Sequence, residues 1–298
     1  MSEVQGRTPW QLALSRLRAD KVAIASLITI ILLILFALAA PLIAQATGHP
    51  PTEQYRDTGL SPSGIPVGPT KEFLFGTDTV GRDILVRIAY GARISLFVGI
   101  IATSISVLIG LAIGLVAGFY SGTVDLLLSR LIDIVLGFPF LLTAIAIVAV
   151  FSPGIWITIG VIIFFYWTYI ARIVRGQVLS VREKEFVEAA RSLGASDARI
   201  IIRDVLPNVI APVIVYSTLL IPTVIVLEST LSFLGLGITP PTPSWGGMIN
   251  DAINFYQVRP TFLLFPSGFL FLTTLAFNLL GDGLRDALDP GSERAMAA

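Results

Sequence analysis

Few side chains in this sequence are of the types that carry out covalent or metal chemistry. There is no cysteine and a single histidine, His49, which excludes thiolate zinc sites, iron–sulfur clusters and histidine clusters. None of the three lysines follows a glycine, so the sequence has no G-x-x-x-x-G-K-[ST] phosphate loop; they are Lys21, Lys71 and Lys184. We therefore assign no catalytic or metal-binding residue and expect the isolated chain to lack ATPase activity.

Charged residues next to apolar runs are the remaining candidates for a role. Arg130 and Asp133 lie three residues apart, so on a helix each can compensate the other's charge close to a bilayer. We interpret them as a structural ion pair. Glu228 follows the uncharged run 205–227, which would carry it to the outer end of a membrane span. It would then either line an outer vestibule or cap a structural network with neighbouring hydroxyls, which are Ser229, Thr230 and Ser232.

The elements that hold these residues must lie in a membrane. Hydrophobic residues make up 54% of the chain and charged residues only 13%, about half of the ~25% found in soluble domains. The net charge is zero, without the excess of Lys and Arg that nucleic-acid binding requires. The composition predicts an all-α integral membrane protein in contact with lipid and excludes nucleic acid as a partner.

Five uncharged, apolar runs are long enough to cross a bilayer, which takes about 20 residues per span, and one of them, 134–171, is long enough for two spans. The expected spans lie at about 22–44, 94–119, 125–151, 155–175, 207–234 and 261–282. A turn signal at Ser152-Pro153-Gly154 separates the third span from the fourth. The chain is thus divided into an N-terminal segment 1–21, a single transmembrane domain 22–285 and a tail 286–298.

The basic residues predict the orientation of this domain, because Lys and Arg are retained on the cytoplasmic side. Placing both termini in the cytoplasm puts 14 of the 20 basic residues inside and 6 outside. Seven of the 14 lie in the connection between spans four and five.

The loop after the first span, 45–92, is long and rich in proline and glycine, so it should be extended. Its last part, 80–90, is expected to form an interfacial helix, on which Asp83 and Arg87 would pair at i,i+4. In span two, three glycines at spacing four form a small-residue ridge, Gly110, Gly114 and Gly118. Its partner is either another span of this chain or a second subunit.

The cytoplasmic connection 172–207 carries helix signals. Ser180 and Glu183 fit a capping box that would start a helix, and Gly194 would end it. One face of this helix would be apolar, formed by Phe186, Ala189, Ala190 and Leu193. A second helix, capped by Ser196 or Asp197, would run to a break at Leu206-Pro207. By pattern alone the segment could also be a solvated connector.

The residues Glu188-Ala189-Ala190, Gly194 and Leu206-Pro207 resemble the E-A-A…G…L-P signature of permease subunits of ABC importers. The resemblance implies that these residues form a coupling helix, which docks on an ATPase and transmits its closure to the spans. The chain departs from the signature at Asp204, where many members have isoleucine.

Four further blocks, 75–96, 228–237, 243–246 and 278–290, are similar to the C-type permeases of dipeptide, oligopeptide and nickel importers. Among the residues in these blocks, Glu228 and Trp245 are candidates for the pathway or a gate. The resemblance implies a multi-pass subunit in the cytoplasmic membrane of a bacterium or archaeon that translocates peptides. It also implies four partners: a homologous B-type permease, two ATPases that bind ATP and Mg²⁺ in place of this chain, and an extracytoplasmic solute-binding protein.

Two alternatives compete with peptide import. Importers of nickel, glutathione and other small solutes share this type of subunit. An ion-coupled secondary transporter is a rival of a different class, but such proteins carry ionisable residues at mid-membrane depth and internal repeats. Neither feature is evident in this sequence, so we disfavour that rival.

Overall fold

The computed structural model describes residues 9–288, and within that range the chain is helical, with two isolated β-bridges. The long helices are α2 (Lys21–Leu38), α5 (Ile84–Phe119), α8 (Ile155–Val181), α11 (Leu206–Phe233) and α13 (Pro260–Leu288). Shorter helices lie among them: α1 (Pro9–Ala19), α3 (Ala40–Thr47), α4 (Arg56–Gly59), α6 (Thr123–Gly137), α7 (Phe140–Phe151), α9 (Glu185–Ser192), α10 (Asp197–Ile200) and α12 (Trp245–Ala252).

Five helical stretches in this range are long and apolar enough to cross a membrane, and the pair α6–α7 makes a sixth if it is one bent span. The all-helical prediction is therefore confirmed for residues 9–288. The expected third span, 125–151, is not straight, because α6 and α7 meet at 81°. The bend has a local cause: Phe138 is extended (φ −79°, ψ 129°) ahead of Pro139, which disfavours a helical residue before it and donates no backbone hydrogen bond.

The glycine ridge on α5 packs against α8 of the same chain, which decides between the two partners considered above. A Cβ added to Gly114 would lie 2.6 Å from the Val174 Cβ and 2.7 Å from the Ala171 carbonyl oxygen. Gly110 and Gly118 approach α8 equally closely, one turn above and one below. Only glycine permits this separation, so the ridge brings the two helix backbones into direct contact.

The loop 45–92, which we call the outer loop for its expected side of the membrane, is not simply extended, because it contains helix α4 and two isolated β-bridges. The segment 80–90 does not form a separate interfacial helix: α5 begins at Ile84 and continues to Phe119. Ile84 and Ile88 are buried against Phe262 at the start of α13 rather than facing lipid headgroups. The apolar face formed by Ile84 and Ile88 therefore packs within the chain and does not lie on the membrane surface.

The N-terminal segment contains a helix, α1, that is too short to cross a membrane and was not predicted. Helix α1 packs against the C-terminal part of α13 and is followed by Asp20, whose carboxylate caps α2 by accepting hydrogen bonds from the Val22 and Ala23 N–H groups. Gly283 of α13 is close to Ala23, where an added Cβ would lie 2.6 Å from the alanine Cβ. The two ends of the described chain are thus held together.

Candidate functional site

The segment that carries the E-A-A residues forms helix α9, with a well-defined end. Gly194 adopts a left-handed conformation (φ +78°), as its expected role required. Its N–H donates to the Arg191 carbonyl at 3.0 Å, and the Ala195 N–H donates to the Ala190 carbonyl at 3.1 Å. This pair of bonds is a Schellman motif, which reverses the chain immediately after the helix.

The start of α9 differs from the prediction. The capping box at Ser180 and Glu183 is wrong, because α8 continues through Ser180 to Val181 and α9 starts only after Lys184. The cause is packing: Val174 and Val178 extend the buried face of α8 against the end of α5, so the chain stays helical past the expected cap.

Helix α9 is anchored by one side and exposes the other. Val187 is fully buried in a cluster with Val178 of α8 and Val205. The apolar residues of the predicted face point elsewhere: Phe186 is 45% exposed and Leu193 87% exposed. Of the signature residues, Glu188, Ala189 and Gly194 are exposed and Ala190 is half-buried. We call the surface formed by Phe186, Glu188, Ala189, Leu193 and Gly194 the α9 face.

Two arginines, Arg182 just before α9 and Arg191 within it, contact the C-terminal end of α5. The Arg182 guanidinium donates to the Gly118 carbonyl at 3.1 Å, and the Arg191 guanidinium lies 5.8 Å from the centre of the Phe119 ring. Gly118 also belongs to the glycine ridge. The α9 segment thus contacts α5 through these two arginines and α8 through buried Val187, which packs in the same cluster as Val178.

The predicted break at Leu206-Pro207 is also wrong. Helix α10 leads through a π-helical turn, Ile201–Val205, into α11 without interruption. Proline is tolerated at the start of an α-helix because its missing N–H would have no partner there. The wider turn before α11 places Pro207 in its first turn, with Val205 still buried.

Glu228 lies in a structural network. It is fully buried, and its carboxylate accepts hydrogen bonds from Ser95 of α5 at 2.7 Å and from Ser232 at 2.8 Å. Ser229 makes a longer contact of 3.5 Å. Thr230 is not part of this network, because its hydroxyl donates to the Val226 carbonyl of its own helix. Ser95, which sequence reasoning missed, makes the network a link between two spans.

Trp245, the second pathway candidate, is fully buried as well. Its indole N–H donates to the Ile88 carbonyl at 3.2 Å, and its ring covers Gly91 of α5. The next residue, Gly246, lies so close to α11 that an added Cβ would overlap the Ser229 carbonyl. The structure thus brings Trp245 and Glu228 to the same helix junction, where both join α5, α11 and α12 and neither is exposed.

The pair Arg130 and Asp133 is a weak contact. Their charged atoms are 3.8 Å apart, and both side chains are more than half exposed. Asp133 has a closer partner in Arg172 of α8, whose guanidinium donates to it at 3.0 Å. This contact joins α6 to α8, which sequence spacing could not indicate.

Buried charges form a second cluster at the opposite end of α5 from α9. Asp83 caps α5 and accepts a hydrogen bond from the His49 Nδ1 at 2.8 Å, so it does not pair with Arg87 as predicted. Asp78 takes that role: its Oδ2 lies 2.6 Å from the Arg82 Nε and 3.2 Å from the Arg87 Nε. The Arg87 guanidinium also donates to the Pro51 carbonyl at 3.0 Å.

A cavity of about 230 Å³ opens beside this cluster, between the end of α11 and helix α12. Its charged lining residues are Arg87 and Asp251, and hydroxyl groups from Ser232, Thr239, Thr242 and Ser244 line it as well. Asp251 is only partly exposed, and burial, reinforced by the negative charge of Asp78, raises the pKa of its carboxyl group. We call this space the outer pocket, because it would face the outside in the orientation expected from the basic residues.

Solved structures identify the class of fold. The chain superposes on the inward-facing MetNI methionine ABC transporter with a TM-score of 0.58 over 68% of this chain and 96% of that one, at 16% identity. An amino acid ABC transporter with histidines gives a TM-score of 0.51 over 66% and 91% of the two chains, at 20% identity. The chain therefore shares its fold with these ABC transporter chains.

The sequence places the chain within that class. It belongs to the family described as the binding-protein-dependent transport system inner membrane component, whose match covers residues 110–294. Residues 8–62 match the N-terminal transmembrane domain of oligopeptide transport permease C. The family resemblance read from the sequence motifs is therefore confirmed.

Relatives with different named substrates match nearly the whole chain. The oligopeptide transport system permease protein OppC of Escherichia coli K12 is 46% identical over 97% of this chain and 93% of its own length. The dipeptide transport system permease protein DppC of Alkalihalophilus pseudofirmus is 44% identical over 95% and 90%. The glutathione transport system permease protein GsiD of Escherichia coli O6:K15:H31 is 44% identical over 96% and 92%.

Proposed function

We propose that this chain is the C-type permease subunit of an ABC importer that carries di- or oligopeptides across the cytoplasmic membrane, with both termini inside. The similarity to oligopeptide and dipeptide permeases over almost the full chain supports the substrate class. Glutathione, the substrate named for a third relative, is itself a small peptide. Nickel is the second solute class to be compared in a transport assay.

The complex contains four further subunits in this proposal. A homologous B-type permease completes the translocation pathway, and a solute-binding protein delivers the peptide from outside. Two ATPase subunits bind ATP and Mg²⁺, so this chain binds no cofactor of its own and is not itself an enzyme. The spans of this chain respond to the ATPases through α9.

The observation that carries the coupling role is the exposure of the α9 face. A short helix that buries only Val187 while leaving Phe186 and Leu193 in solvent has an apolar surface that a second protein can cover. Ala189 lies between them and is small enough for close approach. The contacts of Arg182 and Arg191 with the end of α5 provide a direct route from this surface to the spans.

Substitutions on the α9 face test this role. Gly194→Val, Ala189→Trp and Glu188→Ala should each leave membrane insertion intact but strongly reduce peptide uptake and the amount of ATPase that co-purifies. Gly64→Val is a matched control for the first, because Gly64 is also left-handed (φ +73°) with no atom within 4 Å of an added Cβ, but lies in the outer loop. Gly64→Val should strain the backbone as much as Gly194→Val does. Because Gly64 is not on the α9 face, this control should still retain the ATPases.

Ala190 is a less discriminating position, although it belongs to the signature. It packs partly against the cluster around Val187, so a bulky replacement would disturb this chain as well as its partner. Full ATPase retention and normal uptake in all three α9-face variants would show that the segment is only a connector.

A further inference from the structure

The carboxylate of Asp251 is incompletely paired where it lines the outer pocket. It accepts no hydrogen bond from any residue in the described part of the chain, and its one ion contact, with the Arg82 guanidinium, is 3.9 Å long. Arg82 itself is engaged by Asp78 at 2.6 Å. A half-buried carboxylate of this kind is stabilised strongly by a cation that reaches it through the pocket.

The side chains that line the pocket favour an ammonium group over a divalent metal ion. Divalent ions usually take several carboxylate or imidazole ligands, and the residues described contain no cluster of three such groups. Alongside Asp251, the pocket is lined by Thr239 and Thr242. Ser244 and Asn250 line it as well, although the Ser244 hydroxyl already accepts the Gly247 N–H and the Asn250 amide donates to the Phe233 carbonyl. A primary ammonium with three N–H donors fits one carboxylate supplemented by neutral oxygen acceptors.

The size of the pocket points to the end of a chain rather than a whole ligand. Its volume of about 230 Å³ is below the roughly 300–1,000 Å³ typical of sites that enclose a drug-sized molecule. A carboxylate end is disfavoured there, because Asp251 would repel it and the Arg87 guanidinium is already bonded to the Pro51 carbonyl and paired with Asp78.

We infer that the outer pocket binds the N-terminal ammonium group of the transported peptide, with Asp251 as the residue that pairs with it. This inference rests on the proposed function and adds a recognition step. The permease itself would bind the free amino end as the peptide passes from the binding protein to the pathway. The hydroxyl side chains would hydrogen-bond the first peptide group, which every peptide has. The site would thus recognise the amino end that all peptides share and would not select among peptide side chains.

The test uses the complete complex in proteoliposomes, with trialanine and N-acetyl-trialanine as transported probes. Asp251→Asn should reduce the preference for trialanine, measured as the ratio of kcat/KM values for the two probes, by about tenfold. Asp251→Glu should preserve most of the preference. Asp57→Asn is the matched control, because Asp57 is an exposed carboxylate of the outer loop that makes no ion pair with the described residues, and it should leave the ratio unchanged. Any selection by the binding protein is the same in every variant and cancels.

A second measurement does not depend on a variant. Saturation-transfer NMR on the complex in nanodiscs, without the binding protein, should show the strongest transfer to the methyl group of the first residue of trialanine. Equal transfer to all three methyl groups, or an unchanged probe preference in Asp251→Asn, would overturn the inference while the proposed function stands. Weaker docking of the binding protein in Asp251→Asn with unchanged preference would also overturn it, since the pocket would then hold a protein lysine. A wild-type complex that transports no peptide would overturn both.

Discussion

Ser95 of α5 donates a 2.7 Å hydrogen bond to Glu228 of α11, and both residues are fully buried. Ser232 donates to the same carboxylate and accepts a hydrogen bond from the Ile238 N–H at 2.9 Å. The hydroxyl network therefore connects two spans with the loop that borders the outer pocket. Ser95 and Glu228 are 133 residues apart in the sequence. The network therefore stabilises the tertiary structure and not a local turn.

The first prediction concerns the stability of this network. Ser95→Ala should destabilise the complex by about 1–3 kcal/mol, because the buried carboxylate loses a donor that water cannot replace. Ser180→Ala, at an exposed site on α8 without a side-chain hydrogen bond, should stay within about 0.5 kcal/mol. Thermal unfolding of the purified complex measures both. Equal melting temperatures for the two variants would contradict the structural role of Ser95.

The glycine ridge gives the second prediction. Gly114→Ala should lower stability by about 1–3 kcal/mol, because the added Cβ would lie 2.6 Å from the Val174 Cβ and force α5 away from α8. Gly160→Ala provides the control, because Gly160 lies in α8 with no atom within 4 Å of an added Cβ. That variant should be neutral or slightly stabilised, since alanine favours the helix. Wild-type stability in Gly114→Ala would mean that the two helices can separate freely.

The third prediction concerns orientation. The natural chain has no cysteine, so single cysteines report topology without further substitution. A cysteine at Ser63, an exposed position in the loop between α4 and α5, should react with an impermeant maleimide in intact cells. A cysteine at Ser196, between α9 and α10, should react only after the membrane is opened. The reverse pattern would place both termini outside.

The fourth prediction concerns pH and Asp251. Because burial and Asp78 raise the pKa of this carboxyl group above that of an ordinary aspartate, it should become neutral at a higher pH than usual as the solution is acidified. Arg82 and Arg87, the facing cations, act in the opposite direction but do not cancel the increase. The difference in trialanine transport between wild type and Asp251→Asn should therefore be largest at neutral pH and shrink on acidification. A difference that is constant across the pH range would contradict an ionised Asp251.

Much of the bundle was predictable because membrane spans have a strong one-dimensional signal. Charge-free runs located the long helices, and the left-handed glycine at Gly194 followed from its position after a helix. Ends of helices were harder: Ser180 has the chemistry of a cap, yet the buried face of α8 extends past it. A prediction based on local hydrogen bonding at Ser180 was wrong because the packing of α8 keeps the chain helical there.

The partners of charged residues were the least predictable part of the site. Arg87 is separated by four residues from Asp83 and by nine from Asp78, and spacing favoured the nearer acid. The structure pairs it with Asp78, because Asp83 is occupied as the α5 cap and by His49. Similarly, nothing in the sequence connects Asp133 with Arg172 or Glu228 with Ser95. Such pairs depend on how the helices are arranged in three dimensions, which no sequence motif indicates.

The close contact between α5 and α8 has a mechanical consequence. Because the backbones of α5 and α8 touch along Gly110, Gly114 and Gly118, we expect the two helices to move together as one rigid unit. Helix α5 has 36 residues and is therefore about 54 Å long. A tilt of only about 5° applied at the α9 end would displace the far end by roughly 5 Å over that length. A small rotation at one membrane surface would thus become a movement at the other comparable to the width of a peptide backbone.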